Sequence, residues 1–75
     1  MTAKEVINIL KSYPQETEIL VNGYEDGYDQ IGDIVLKEVY PIKDAPWYYG
    51  EYQEVEKTSD DAFLAVILHR KRRNP

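Results

Sequence analysis

Near the N-terminus, apolar residues recur at the spacing that places them on one face of an α-helix. These apolar positions are Val6, Ile9, Leu10 and Tyr13. Thr2 precedes the pattern and Glu5 follows it by three residues, which is the spacing of a capping box. Pro14 lacks the amide hydrogen that a helix interior needs, so we predict an amphipathic helix of about three turns that ends near Ser12.

Two further stretches are rich in residues that favour β-strands. In residues 17–24 (TEILVNGY), apolar side chains occur on both parities, which predicts a short strand covered in part on both sides. In residues 31–42 (IGDIVLKEVYPI), the alternation of apolar and polar positions changes phase, and a β-bulge near Lys37 and Glu38 would restore it. Pro41 cannot donate a backbone hydrogen bond, which predicts that the far end of this strand lies at a sheet edge.

Residues 62–70 (AFLAVILHR) are apolar on both parities, which predicts a strand at the centre of the sheet. Part of residues 47–55 (WYYGEYQEV) is expected to add one more short strand. The whole pattern predicts an α+β fold, in which a short N-terminal helix packs on a small, largely antiparallel sheet of three to four strands. We assign residues 1–69 to this single domain and residues 70–75 to a basic, disordered tail.

Composition narrows the class of protein. Seventy-five residues, 43% hydrophobic and 31% charged, are typical of one small soluble domain, and the longest apolar run is far shorter than the ~20 residues of a membrane-spanning helix. The N-terminus has the pattern of a helix and not of a signal peptide, so we expect a cytoplasmic location. The chain has no cysteine, which removes disulfides and thiolate chemistry. Since a domain this small has no such cross-links, we expect a homo-oligomer.

Charge divides the chain into an acidic body and a basic end. All fourteen acidic residues lie within residues 1–61, whereas Arg70, Lys71, Arg72 and Arg73 follow one another near the C-terminus. An acidic body repels phosphate backbones, so binding to duplex nucleic acid is disfavoured.

The segment GYEDGYDQIGD (residues 23–33) is dense in glycine and carboxylates. Asp26-Gly27 is a favoured pair for the centre of a two-residue type I′ hairpin turn, and Gly32 marks a second bend or a bulge. The alternative is a metal loop with carboxylates from Glu25, Asp26, Asp29 and Asp33. Because the spacing does not match a calcium loop, we interpret the segment as a hairpin end with solvated acids and predict no metal.

The run ILKSYPQETEILVNGYEDGYDQI (residues 9–31) resembles a group of small bacteriophage and prophage proteins of uncharacterised function. In that group, a short helix and a strand precede a GYExGYD segment, and a WYYG-like stretch follows. The resemblance covers about two thirds of the chain, and its most specific parts are Gly23–Asp29 and Trp47–Gly50. It implies an accessory role, such as countering host defence, and brings no catalytic residues with it.

Aromatic residues concentrate in APWYYGEYQEV (residues 45–55). These aromatic residues are Trp47, Tyr48, Tyr49 and Tyr52. Three interpretations remain open: a lid over the small core, an interface with another protein, or a platform on which a nucleobase stacks. If Tyr24 and Tyr28 lay beside this loop, the six side chains would form one large binding patch.

Catalytic patterns are weak in this sequence. A Ser-His-acid arrangement would have to use His69 with Ser12 or Ser59, and neither serine stands in a nucleophile-elbow pattern. The glycines do not fit a phosphate-binding loop. We therefore predict a protein that is not an enzyme and has no cofactor.

The sequence as a whole favours a non-enzymatic, phage-type accessory protein that acts as a protein-interaction module through a Tyr/Trp-rich acidic surface. Its predicted binding residues are Tyr24, Tyr28, Trp47, Tyr48, Tyr49 and Tyr52. The alternative is a protein that binds and sequesters a small, nucleotide-like molecule, with its phosphates held by Arg70 or Arg72.

Overall fold

A computed structural model describes residues 1–55 and 60–73 of the chain. Ser59, one of the two serines considered above, lies outside the described residues. The elements in chain order are α1 (Ala3–Leu10), β1 (Leu20–Asn22), β2 (Tyr28–Pro41), β3 (Tyr52–Glu54) and β4 (Phe63–Arg70). The α+β class and the antiparallel sheet are confirmed, and within the described residues the sheet has four strands.

Helix α1 begins as its sequence predicts. The Thr2 hydroxyl accepts a hydrogen bond from the N–H of Glu5, and the Glu5 carboxylate accepts one from the N–H of Thr2, so the capping box is complete. The helix ends at Leu10, slightly before the predicted end. Ser12 N–H donates to the Ile9 carbonyl and Tyr13 N–H to the Leu10 carbonyl, which tightens the last turn.

Strand β2 is the centre of the sheet, because each of the other three strands pairs with it. β1 pairs antiparallel with the N-terminal end of β2, and β3 pairs antiparallel with the C-terminal end of β2. β4 pairs antiparallel with β2 from Ile31 to Val39. Val39 pairs with both Glu54 and Phe63, so β3 and β4 lie on opposite edges of β2 there. The prediction that residues 62–70 form the central strand is wrong, since β4 pairs with β2 alone among the strands of the described residues.

The β-bulge lies at Gly32 and not near Lys37 and Glu38. The register between β2 and β4 is unbroken from Asp33 to Val39 and shifts between Ile31 and Asp33. A Cβ atom at position 32 would lie 2.8 Å from the Cα atom of Lys71, so only glycine fits where the two backbones approach. The alternation of apolar and polar residues changes phase for another reason, because β2 carries apolar residues on both of its faces.

Pro41 limits the length of the β2–β4 pairing. Ile42 N–H donates to the Glu51 carbonyl, so the nitrogen of the preceding Pro41 points away from β3 and toward the edge along which β4 runs. The last β2–β4 pair is Val39 with Phe63, two residues before Pro41. On that edge the end of β2 has no strand partner among the described residues, because proline cannot donate there.

The two faces of the β2–β4 ladder differ in burial. One face carries Val35, Lys37 and Val39 with their β4 partners; Val39 is 6% exposed and the only buried apolar residue in the described part of the chain. The other face is exposed and aliphatic. Helix α1 contacts none of the strands and has no buried residue, so the predicted packing of the helix on the sheet is not seen.

Candidate functional site

The β1–β2 hairpin turns one residue earlier than predicted. Gly27 N–H donates to the Tyr24 carbonyl and Gly23 N–H to the Gly27 carbonyl, so Glu25 and Asp26 are the central pair of the turn. Both have positive φ angles, 52° and 61°, as a type I′ turn requires. The hairpin itself is confirmed, but Asp26-Gly27 as its central pair is wrong.

Asp29 is not a solvated acid, contrary to the interpretation of the turn segment. It is 8% exposed and is the only buried polar residue in the described part of the chain. Its carboxylate lies 3.4 Å from Arg73 Nε and 3.9 Å from Arg70 Nη1. A Cβ atom on Gly23 would come within 2.6 Å of its Oδ2 atom, so glycine at position 23 leaves the room that this carboxylate occupies.

Arg70 also binds Tyr24 at the hairpin end. Its Nη2 donates to the Tyr24 hydroxyl at 2.5 Å, and its guanidinium carbon lies 4.0 Å from the centre of the Tyr24 ring. One guanidinium therefore combines an ion pair with a cation–π contact. The basic end is continuous with the sheet, since β4 extends to Arg70 and Lys71 N–H donates to the Gln30 carbonyl.

The distribution of charge along the sequence indicates this cluster, although the motifs considered above did not predict it. When β2 and β4 pair antiparallel, the start of one strand lies beside the end of the other. The start of β2 is acidic and the end of β4 is basic, so opposite charges meet. Arg73 belongs to the cluster although it was not among the predicted anion contacts, and its side chain is 74% exposed; the predicted anion contact Arg72 is exposed as well.

The second group of predicted residues lies in the loop between β2 and β3 and at the first residue of β3; this segment, residues 46–52, is here called the aromatic loop. Tyr49 N–H donates to the Pro46 carbonyl within it. The Trp47 and Tyr48 rings meet edge to face with centroids 5.6 Å apart, and Tyr48 and Tyr49 do the same at 5.3 Å. Trp47 is 93% exposed and so does not cover the core as a lid.

Tyr52 differs from the other aromatic residues of the loop. It is the first residue of β3, and its ring meets Phe63 of β4 edge to face, with centroids 5.4 Å apart. Because β3 and β4 lie on opposite edges of β2, this contact bridges the central strand. Tyr52 therefore links the base of the aromatic loop to the sheet.

The structure does not bring the predicted binding residues together. Tyr28 is the first residue of β2, and Tyr52 pairs with Pro41, its last residue. The hairpin tyrosines and the aromatic loop thus lie at opposite ends of a 14-residue strand. The chain presents two separate aromatic surfaces instead of one combined patch.

His69 and Asp33 form a pair whose chemistry is limited. His69 Nδ1 lies 2.9 Å from Asp33 Oδ1, and both side chains are substantially exposed. The Ser12 hydroxyl donates to the Ile9 carbonyl, far from this pair in sequence and engaged with the helix. Within residues 1–55 and 60–73, no group of three or more acidic or histidine side chains is placed to hold a metal ion.

In the described part of the chain, no helix has the length and apolar character needed to cross a bilayer. No family model matches the sequence, and no curated protein or solved structure matches it either.

Proposed function

We propose that this protein is a non-enzymatic protein-interaction module and that the aromatic loop is its partner-binding surface. The observation that carries the proposal is the 93% exposure of Trp47 at the tip of a chain of edge-to-face rings. Tryptophan and tyrosine supply large apolar area with a polar group and dominate the energetics of protein interfaces. An indole left in water is a surface that another molecule can bury.

The geometry of the loop favours binding in a second way. Each of the Tyr48 and Tyr49 rings is held by its neighbour, and the Tyr49–Pro46 hydrogen bond fixes the turn beneath them. A surface that is ordered before it binds loses less conformational entropy on association. Asp44 precedes the loop and Glu51 lies within it, in a chain of net charge −5, so a partner with a basic or aromatic surface is the best match.

The resemblance to bacteriophage and prophage proteins extends this proposal to an accessory role in which the partner is a host protein. The nucleotide-like ligand ranks second because of where Arg70 lies. Arg70 pairs with Ile31 near the start of β2, at the end of that strand remote from the aromatic loop. It is also engaged by Tyr24 and Asp29, so it does not combine with the loop rings into one site for base and phosphate.

The test compares a variant with both Trp47→Ala and Tyr49→Ala with Tyr28→Ala, which removes an exposed aromatic residue at the other end of β2. Each tagged protein is used to capture proteins from a bacterial lysate, and thermal denaturation checks that it is folded. We expect the captured partner to be retained by the wild type and by Tyr28→Ala and lost from the double variant. Equal capture by the folded double variant, or its unfolding, would contradict the assignment of the loop as a binding surface.

A further inference from the structure

The exposed face of the β2–β4 ladder is a continuous aliphatic surface. Its apolar side chains are Ile34, Leu36, Leu64, Val66 and Leu68, each 49–66% exposed. Ile34 pairs with Leu68 and Leu36 with Val66, so the side chains of each pair stand together on the same face. One carboxylate, Glu38 opposite Leu64, interrupts it. Single exposed apolar residues are normal, but a contiguous set of this kind marks an interaction surface.

Nothing within the described chain covers this face. The amphipathic helix α1 was expected to pack on the sheet, yet it contacts no strand. The other face of the ladder contains the buried Val39, so the small core lies there. The apolar residues of α1 and of the exposed ladder face are therefore both left without cover by the described part of the chain.

The chain exposes more surface than a compact monomer of its mass does. Its accessible surface is 7373 Å², whereas a compact monomer of this mass exposes roughly 4,800 Å². The radius of gyration is 14.8 Å, against about 11 Å for a compact domain of the same length. The excess of roughly 2,600 Å² per chain is shared by α1, the aromatic loop and the exposed ladder face, and it is larger than the ~1,000 Å² per subunit at which obligate homodimer interfaces begin.

We propose that a second copy of this chain covers the β2–β4 face, which makes the protein an obligate homodimer. The face is aliphatic along most of its length, so two copies related by a two-fold axis present matching surfaces to each other. Two sheets in such contact pack at about 10 Å with their aliphatic side chains interdigitated. The interface is separate from the aromatic loop, which leaves that loop free to bind a different protein.

The first measurement is the mass of the untagged wild-type protein by sedimentation velocity over a range of micromolar concentrations. A single chain has a mass of 8.8 kDa. We expect the mass of a dimer or of a larger assembly built from dimers. A species of single-chain mass across the whole range would overturn the proposal.

The second measurement locates the interface, and the absence of cysteine from the natural chain makes it direct. Val66→Cys places a thiol in the middle of the face, and Tyr28→Cys places a matched thiol at an exposed site outside it. We expect a maleimide reagent to modify Val66→Cys at least about tenfold more slowly than Tyr28→Cys. This difference in rate should become smaller on dilution, as the dimer dissociates into single chains.

Each other outcome counts against the proposal. A dimer in which Val66→Cys reacts as fast as Tyr28→Cys would place the association elsewhere on the chain. A single chain in which Val66→Cys is protected would mean that α1 or another segment of the same chain covers the face. Because valine to cysteine is a small change at an exposed position, the labelling rates report on the folded protein.

Discussion

The guanidinium of Arg70 lies 4.0 Å from the centre of the Tyr24 ring and donates a hydrogen bond to the Tyr24 hydroxyl. The two residues are 46 positions apart in the chain, one at the turn of the β1–β2 hairpin and the other at the end of β4. Their contact ties the short hairpin strand β1 to the longest antiparallel pairing of the sheet. The loss of this contact is expected to loosen β1 before the rest of the sheet.

Two variants separate the hydrogen bond from the ring contact. Tyr24→Phe removes the hydroxyl and keeps the ring, and we expect it to lower the free energy of unfolding by about 0.5 kcal/mol, since the pair is exposed. Tyr24→Leu also removes the ring face, with a further loss of about 0.5–1 kcal/mol. Urea denaturation measures the free energy of unfolding of both variants. Equal stability of Tyr24→Leu and the wild type would show that the contact does not stabilise the folded protein.

Asp29 gives the second prediction, because it is a buried carboxylate beside two guanidinium groups. Asp29→Asn keeps the shape and removes the charge, which leaves Arg70 and Arg73 close together without an anion between them. We expect a loss of about 1–2 kcal/mol, since Arg73 is mostly exposed and Arg70 partly exposed, which makes the pairing weaker than in a fully buried network. Glu18→Gln, at an exposed position, is the control and should change the stability by less than about 0.5 kcal/mol. A similar small effect of Asp29→Asn would contradict this account.

The outcome of sequence-based prediction differs among these elements for physical reasons. The capping box of Thr2 and Glu5 depends on contacts within one helical turn, so the spacing of these two residues in the sequence was sufficient to predict it. The approximate positions of the strands followed from residue types in the same way, although β2 begins at Tyr28, three residues before the predicted stretch. The central position of β2 and the register that buries Asp29 depend on contacts between distant segments. No local pattern specifies these contacts, although the opposite charges of the two strand ends agree with the antiparallel pairing.

Gly32 provides the third prediction, which tests the bulge. An alanine Cβ there would lie 2.8 Å from the Lys71 Cα and 3.2 Å from the Arg70 carbonyl, both parts of the backbone. We expect Gly32→Ala to lower the free energy of unfolding by about 1–3 kcal/mol, since the strand must shift to admit the methyl group. The control is Gly50→Ala, where the nearest atom would be 3.6 Å away. Gly50→Ala should be close to neutral, and equal effects of the two changes would contradict the close approach of β2 and β4.

The hairpin turn provides a stabilising prediction. Glu25 and Asp26 both adopt positive φ angles, which are unfavourable for residues with a Cβ atom. Changing the pair to Asn-Gly, by Glu25→Asn with Asp26→Gly, supplies the residues that a type I′ turn prefers. We expect a gain of about 0.5–1 kcal/mol in the free energy of unfolding, seen as a higher melting temperature. If the double variant melts below the wild type, the turn geometry is not as described.

Phe63 and Trp47 give a final, paired prediction that separates the core from the aromatic loop. Phe63 stands opposite the buried Val39 and meets Tyr52 edge to face, so its loss removes contacts with both. We expect Phe63→Ala to lower the free energy of unfolding by about 1–3 kcal/mol, less than for a fully buried ring because about half of it is exposed. Trp47→Ala should change it by less than about 0.5 kcal/mol, since the indole stabilises little of the fold. Chemical denaturation of the two variants decides between two roles for the loop. A large loss of unfolding free energy for Trp47→Ala would mean that the aromatic loop stabilises the domain. A small loss would leave the exposed rings of the loop available to a partner.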